Sequence, residues 1–153
     1  MRILPPLSKF ISRQPFAPPV VRTAQQRRRE DDAIDAHLPI LIIGNHRELT
    51  LYRKAYLDHH GLRTLTPENK ADALEAIVRA GFRAVVLSYT LSHEDVLEYS
   101  ELIRQICPRC PIVVINRSGV DDPRVRPEAT VRAEDGPEGL LAALRRVLNH
   151  HSQ

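Results

Sequence analysis

Ser88 is where chemistry would be looked for first. It closes the apolar run Ala84-Val-Val-Leu87 and precedes Leu91-Ser-His-Glu-Asp95, which has the composition of a helix start. In alternating strand–helix proteins, ligands sit at the carboxyl ends of the strands. A serine hydroxyl becomes a nucleophile only beside a general base. His93 lies five residues on, but the strand-to-helix elbow of serine hydrolases needs small residues two positions either side of the serine. Val86 and Thr90 occupy those places, so hydrolase chemistry is set aside. Glu94 and Asp95 read as favourable charges in the first turn of the helix rather than as substitute acceptors.

Other residues with chemical potential are weaker candidates. Cys107 and Cys110 have C-x-x-C spacing. A redox pair of this kind follows a strand and opens a helix, whose dipole lowers the thiol pKa; this one ends a helical segment and precedes a strand. A structural zinc site would need two further ligands. The pair reads as ordinary thiols, with a reversible disulfide and a metal site as alternatives. His59-His60 and His150-His151 are neighbours whose side chains diverge on a helix, and they read as solvated helix ends. His46 reads as a loop histidine, with a role in a ligand pocket as the alternative. Such a pocket, lined by Asn45, His46, Ser88, Asn116 and Arg117, would suit a small anion paired with Arg117. Neither G-x-x-x-x-G-K-[ST] nor G-x-G-x-x-G occurs, so no motif supports nucleotide binding. No metal and no cofactor is expected.

These residues must be positioned by an alternating pattern. Residues 39–44, Pro-Ile-Leu-Ile-Ile-Gly, form a continuous apolar run suited to a strand buried on both faces. The next segment places Leu49, Tyr52, Tyr56 and Leu57 on one helical stripe and stops at Gly61. A short strand over 62–66 follows. Thr66 as N-cap and Pro67 as first helical residue open a second helix, with Leu74, Ile77 and Val78 inward and Gly81 as its end. Residues 83–88 are a third strand, and Ser92 caps a third helix with Val96, Leu97, Ile103 and Ile106 inward. Strands over 111–116 and 129–133 lead to a last helix burying Leu140, Leu141, Leu144 and Val147. Between them, Pro123 and Pro127 leave room for one helical turn at most. Strands separated by helices imply right-handed crossovers and a parallel sheet, an α/β fold.

The charge is unevenly distributed. The chain has 22 Lys and Arg against 19 Asp and Glu, but seven of the basic residues and none of the acids lie in residues 1–29. The rest is net acidic, which argues against nucleic-acid binding by the folded part. Residues 1–38, Pro-rich and aperiodic, are expected to be a disordered basic tail, and residues 39–150 a single domain. No apolar run reaches the ~18 residues of a membrane span. Two cysteines and no secretory leader pattern point to the cytoplasm.

The order and spacing of these elements resemble the receiver domain of two-component response regulators. Residues 39–49 match its first strand and exit loop, 84–99 its third unit, 111–119 its fourth strand and 137–148 its final helix. The resemblance implies a flavodoxin-like, doubly wound sheet of five parallel strands in the order 2-1-3-4-5, with the fourth helix short or missing. It also implies two metal-binding acids after the first strand, where Gly44 and Asn45 stand. The phosphoacceptor aspartate corresponds to Ser88, the hydroxyl after the fourth strand to Asn116, and the lysine after the fifth to Ala133. A hard cation needs anionic oxygen ligands, and acyl-phosphate formation needs a carboxylate; these residues supply neither. The resemblance therefore implies a pseudo-receiver, not an enzyme, that serves signal transduction by contact with a partner protein or a second copy of the chain. The alternative is a small-ligand sensor or enzyme using the carboxyl-edge pocket.

Overall fold

The computed structural model describes residues 23–26, 37–118 and 122–151. The chain divides into two units, residues 1–31 and 32–153. In the first, Thr23 and Gln26 exchange hydrogen bonds between side chain and backbone, Gln26 N–H to Thr23 Oγ1 at 3.2 Å and Thr23 N–H to Gln26 Oε1 at 3.0 Å. This reciprocal pattern is a capping box. The rest of the expected tail, apart from residues 37 and 38, lies outside the described residues.

The second unit runs β1 (Ile40–Ile43), α1 (Arg47–His59), β2 (Thr64–Leu65), α2 (Lys70–Arg79), β3 (Ala84–Leu87), α3 (His93–Ile106), β4 (Ile112–Asn116), β5 (Ala129–Arg132), a 3-10 turn (Ala133–Asp135) and α4 (Gly136–His151). All strand pairs are parallel and the order is β2-β1-β3-β4-β5. Ile43 pairs with Leu87, Leu87 with Val114, and Asn116 with Arg132, which aligns the carboxyl ends along one edge.

Alternation in each strand feeds two cores. Ile40, Ile42, Val86, Val113 and Ile115 face Leu57 of α1 and Leu140 and Leu144 of α4. Leu41, Ile43, Val85, Leu87 and Ile112 face Ile77 of α2 and Tyr99 and Ile103 of α3. Burying each such aliphatic chain stabilises the fold by about 1.5–3 kcal/mol, so strands buried on both faces dominate its energetics. Among the described residues no helix is long and apolar enough to cross a membrane.

Several local expectations are corrected. α1 buries Thr50, Arg53 and Leu57, whereas Tyr52 is 58% exposed. In α2, Ala73 and Ile77 are buried and Val78 is 59% exposed. α3 turns Tyr99, Ser100 and Ile103 inward and leaves Ile106 exposed. The N-cap of α2 is Asn69, whose side chain accepts from Asp72 N–H at 2.8 Å, not Thr66. Its C-cap is Ala80, at φ 56°, one residue before Gly81. Ser92 caps α3 as expected, accepting from Asp95 N–H at 3.1 Å. All four expected core residues of α4 are buried.

The described part of residues 117–128 holds no helix, only a turn around residues 123–125. It is anchored instead by Arg104 of α3, which donates to both oxygens of Glu128 at 2.6 and 3.1 Å and to the Arg126 carbonyl at 2.6 Å. Glu128 also accepts the Ile112 N–H at 2.6 Å. Cys107 and Cys110 form a disulfide, which corrects the reading of ordinary thiols. It closes the turn between α3 and β4, where the Cys110 N–H donates to the Cys107 carbonyl at 3.1 Å.

Candidate functional site

The carboxyl edge gathers most of the residues named from sequence. Ser88 follows β3 rather than ending it, and its N–H donates to the Ile43 carbonyl at 2.9 Å. Its side chain is buried, at 2% exposure. Gly44 lies against it: a Cβ built on Gly44 would meet Ser88 Cβ and Thr50 Oγ1 at 3.0 Å and Thr90 Oγ1 at 3.1 Å. Close approach of three side chains therefore favours glycine here, and any side chain at this position would need Thr50, Ser88 and Thr90 each to give by a few tenths of an ångström.

Asn45 is turned to another task. Its N–H donates to Thr90 Oγ1 at 2.9 Å and its side-chain amide to the Thr90 carbonyl at 3.2 Å. The two loops that follow β1 and β3 are thereby tied together. His46 is the N-cap of α1, its Nδ1 accepting from Leu49 N–H at 3.2 Å. It does not line the cleft beside Ser88, which corrects its placement in the expected pocket.

The decisive side chain is one the sequence reading missed. Arg53 projects from the buried stripe Thr50–Arg53–Leu57 of α1, with 6% exposure, and donates to Ser88 Oγ at 2.8 Å. Among the described residues no carboxylate pairs with it. Burial pushes its guanidinium pKa down from the usual value, and the Tyr89 phenol acts in the opposite direction. Arg53 lies 5.5 Å from the centre of the Tyr89 ring, and Arg117 lies 4.4 Å from the same centre. Tyr89 thus stands beside two guanidiniums in cation–π contact. The signal in the sequence was a charged residue at i+3 from Thr50 and i−4 from Leu57, on a stripe that the helix must bury.

Two cavities meet at Tyr89. The larger, about 300 Å³, lies between β3, β4, the start of α3 and the 117–128 segment, and includes Ser88, Asn116 and Arg117 in its lining. The smaller, about 80 Å³, has Arg53, Arg132 and Ala133 in its wall. Ser88, Asn116 and Arg117 are thus brought together, while Ala133 belongs to the neighbouring cavity. Asp122, at the rim of the larger cleft, is bound by Arg124 at 2.9 Å and His93 at 2.6 Å. The hydrogen bonds and charge of Arg124 hold its carboxyl at about 2.

No family model matches the sequence and no curated protein is similar to it. Solved structures are. A CheY-like response regulator receiver domain protein from Methanospirillum hungatei is 16% identical, with TM-score 0.64 over 74% of this chain and 95% of that one. The fold is that of a receiver domain. The response regulator TrrA from Thermotoga maritima, solved with Mg²⁺ and beryllofluoride, is 18% identical with TM-score 0.64, covering 72% and 98% of the two chains. The beryllofluoride-activated NtrC4 receiver domain dimer is 17% identical, also with TM-score 0.64, over 74% and 98%.

A receiver-type Mg²⁺ ion does not fit the residues present. Gly44 offers no side chain, Asn45 spends its amide on Thr90, and Ser88 is neutral. The Arg53 guanidinium already faces Ser88. A divalent ion within about 4 Å of it would be opposed by about 8 kcal/mol at an effective dielectric of about 20. A fixed internal cation thus stands against the Ser88 hydroxyl at the carboxyl edge of the sheet.

Proposed function

We propose that this chain is a receiver-fold module that takes no phosphoryl group and regulates signalling by contact with a protein partner. The observation that carries this reading is the Arg53–Ser88 hydrogen bond at 2.8 Å. It supports the reading because phosphoryl transfer to a receiver needs a carboxylate and a metal ion, whereas this sheet edge presents a positive side chain on a neutral hydroxyl. The two-sided core remains intact, so the scaffold keeps its surfaces without the chemistry. Contact is expected through α4, which exposes Arg145 and Arg146, and through the segment held by Arg104. The similar NtrC4 receiver is a dimer, so a second copy is one partner to test.

The test is incubation with acetyl phosphate, or with beryllofluoride, in the presence of Mg²⁺. Intact mass and the amide spectrum are expected to stay unchanged. A gain of one phosphoryl group on Ser88 would overturn the reading. A second reading, a small-ligand sensor, is favoured by the cleft of about 300 Å³ beside Ser88.

A further inference from the structure

We propose that the cleft beside Ser88 binds a small monocarboxylate carried on an apolar body, a proposal that rests on the sensor reading. Its volume of about 300 Å³ is at the lower end of small-molecule pockets, which run from roughly 300 to 1,000 Å³. Leu91, Val96, Val114 and Val125 supply apolar wall. Such a wall accepts a short branched or aromatic body and offers little to a free inorganic anion.

The polar end of the site is built around the Ser88 hydroxyl. Ser88 Oγ accepts from Arg53 at 2.8 Å, from Thr90 Oγ1 at 3.2 Å and from Thr90 N–H at 3.4 Å. A hydroxyl oxygen has two lone pairs, so Arg53 and one Thr90 donor fill them, and the Ser88 proton can turn toward an acceptor in the cleft. A buried hydroxyl donor calls for an acceptor, and a guanidinium on its oxygen makes it a stronger donor. A carboxylate oxygen in the cleft meets that requirement.

Charge points the same way. Arg117 shares the cleft wall with Ser88 and Tyr89, and no carboxylate pairs with it among the described residues. Arg53 adds a second positive charge behind Ser88. The acid at the rim, Asp122, is already engaged by Arg124 and His93, so its repulsion of an incoming anion is muted. One carboxylate oxygen would accept from Ser88 and the other from Arg117, with the body lying along Val114 and Val125.

The test is an amide-resolved NMR titration of the full chain with benzoate, alongside isosteric, neutral benzamide and inorganic phosphate. Benzoate is expected to give saturable shifts at residues 88–91 and 113–117, with benzamide and phosphate at least about tenfold weaker, the worth of one charge-assisted hydrogen bond. Arg117→Met, on an exposed side chain, should weaken benzoate by about tenfold and leave benzamide unchanged. Ser88→Ala should do likewise. Equal binding of benzamide or phosphate, shifts centred elsewhere, or no saturable response to benzoate would overturn the proposal. The outcome is independent of beryllofluoride: carboxylate binding can fail while the chain still refuses a phosphoryl group, and the reverse.

Discussion

At Arg53 a buried guanidinium has, among the described residues, a hydroxyl and an aromatic ring but no carboxylate as partner. A buried charge without a counter-charge costs stability, and a linear apolar chain of similar length fills the same space without that cost. Arg53→Met is therefore expected to raise stability by about 1 kcal/mol in urea unfolding, while Arg53→Ala lowers it by leaving a cavity. Ser88→Asp is expected to fold with Arg53 as its counter-ion and still to gain no mass from acetyl phosphate, which intact-protein mass measurement checks. Ser88 was legible in the sequence because a strand end announces itself. Arg53 was not, because residue type points to Leu49, Tyr52, Tyr56 and Leu57 as the α1 stripe, of which only Leu57 is fully buried. The helix instead rotates to bury Thr50, Arg53 and Leu57. A polar site under a helix inverts the rule that apolar residues mark the inner face.

Strands and helices were legible for a simple reason: the runs at 40–43, 84–87 and 112–115 are apolar throughout and can only be buried on both faces. Helix ends were read less well. Thr66-Pro67 looks like a start, but Asn69 captures the Asp72 N–H and begins α2 later. Ala80 ends that helix in the left-handed region, where a Cβ is disfavoured by roughly 1–2 kcal/mol. Ala80→Gly is expected to raise stability by about 1 kcal/mol, seen as a higher urea midpoint. Arg104 holds the stretch before β5 through three hydrogen bonds, so Arg104→Ala should cost about 1–3 kcal/mol and speed amide exchange at Val125 and Glu128. The Asp122 clasp on that segment titrates with a depressed pKa of about 2, against 3.8 for a free side chain. Its contribution is fully present above about pH 4 and is lost as pH falls toward 2. The Arg124 amide, which donates to Asp122 at 2.8 Å, is the NMR reporter.

For the molecule as a whole, a parallel α/β sheet was legible from the succession of elements and its strand order only through the resemblance to receiver domains, whereas the Cys107–Cys110 bond was not: spacing alone does not say whether two thiols face each other. The loop it closes is short, with a sequence separation of 3. Chain entropy then assigns it about 2 kcal/mol, and dithiothreitol is expected to lower the thermal midpoint accordingly. A different kind of consequence follows from the crowding around Gly44. Thr50 belongs to α1 and Ser88 and Thr90 to the loop after β3, and all three crowd the space that an aspartate side chain would enter. An acid placed at Gly44 by itself meets all three at once, so both walls of this corner must yield together before the sheet edge can carry a charge there.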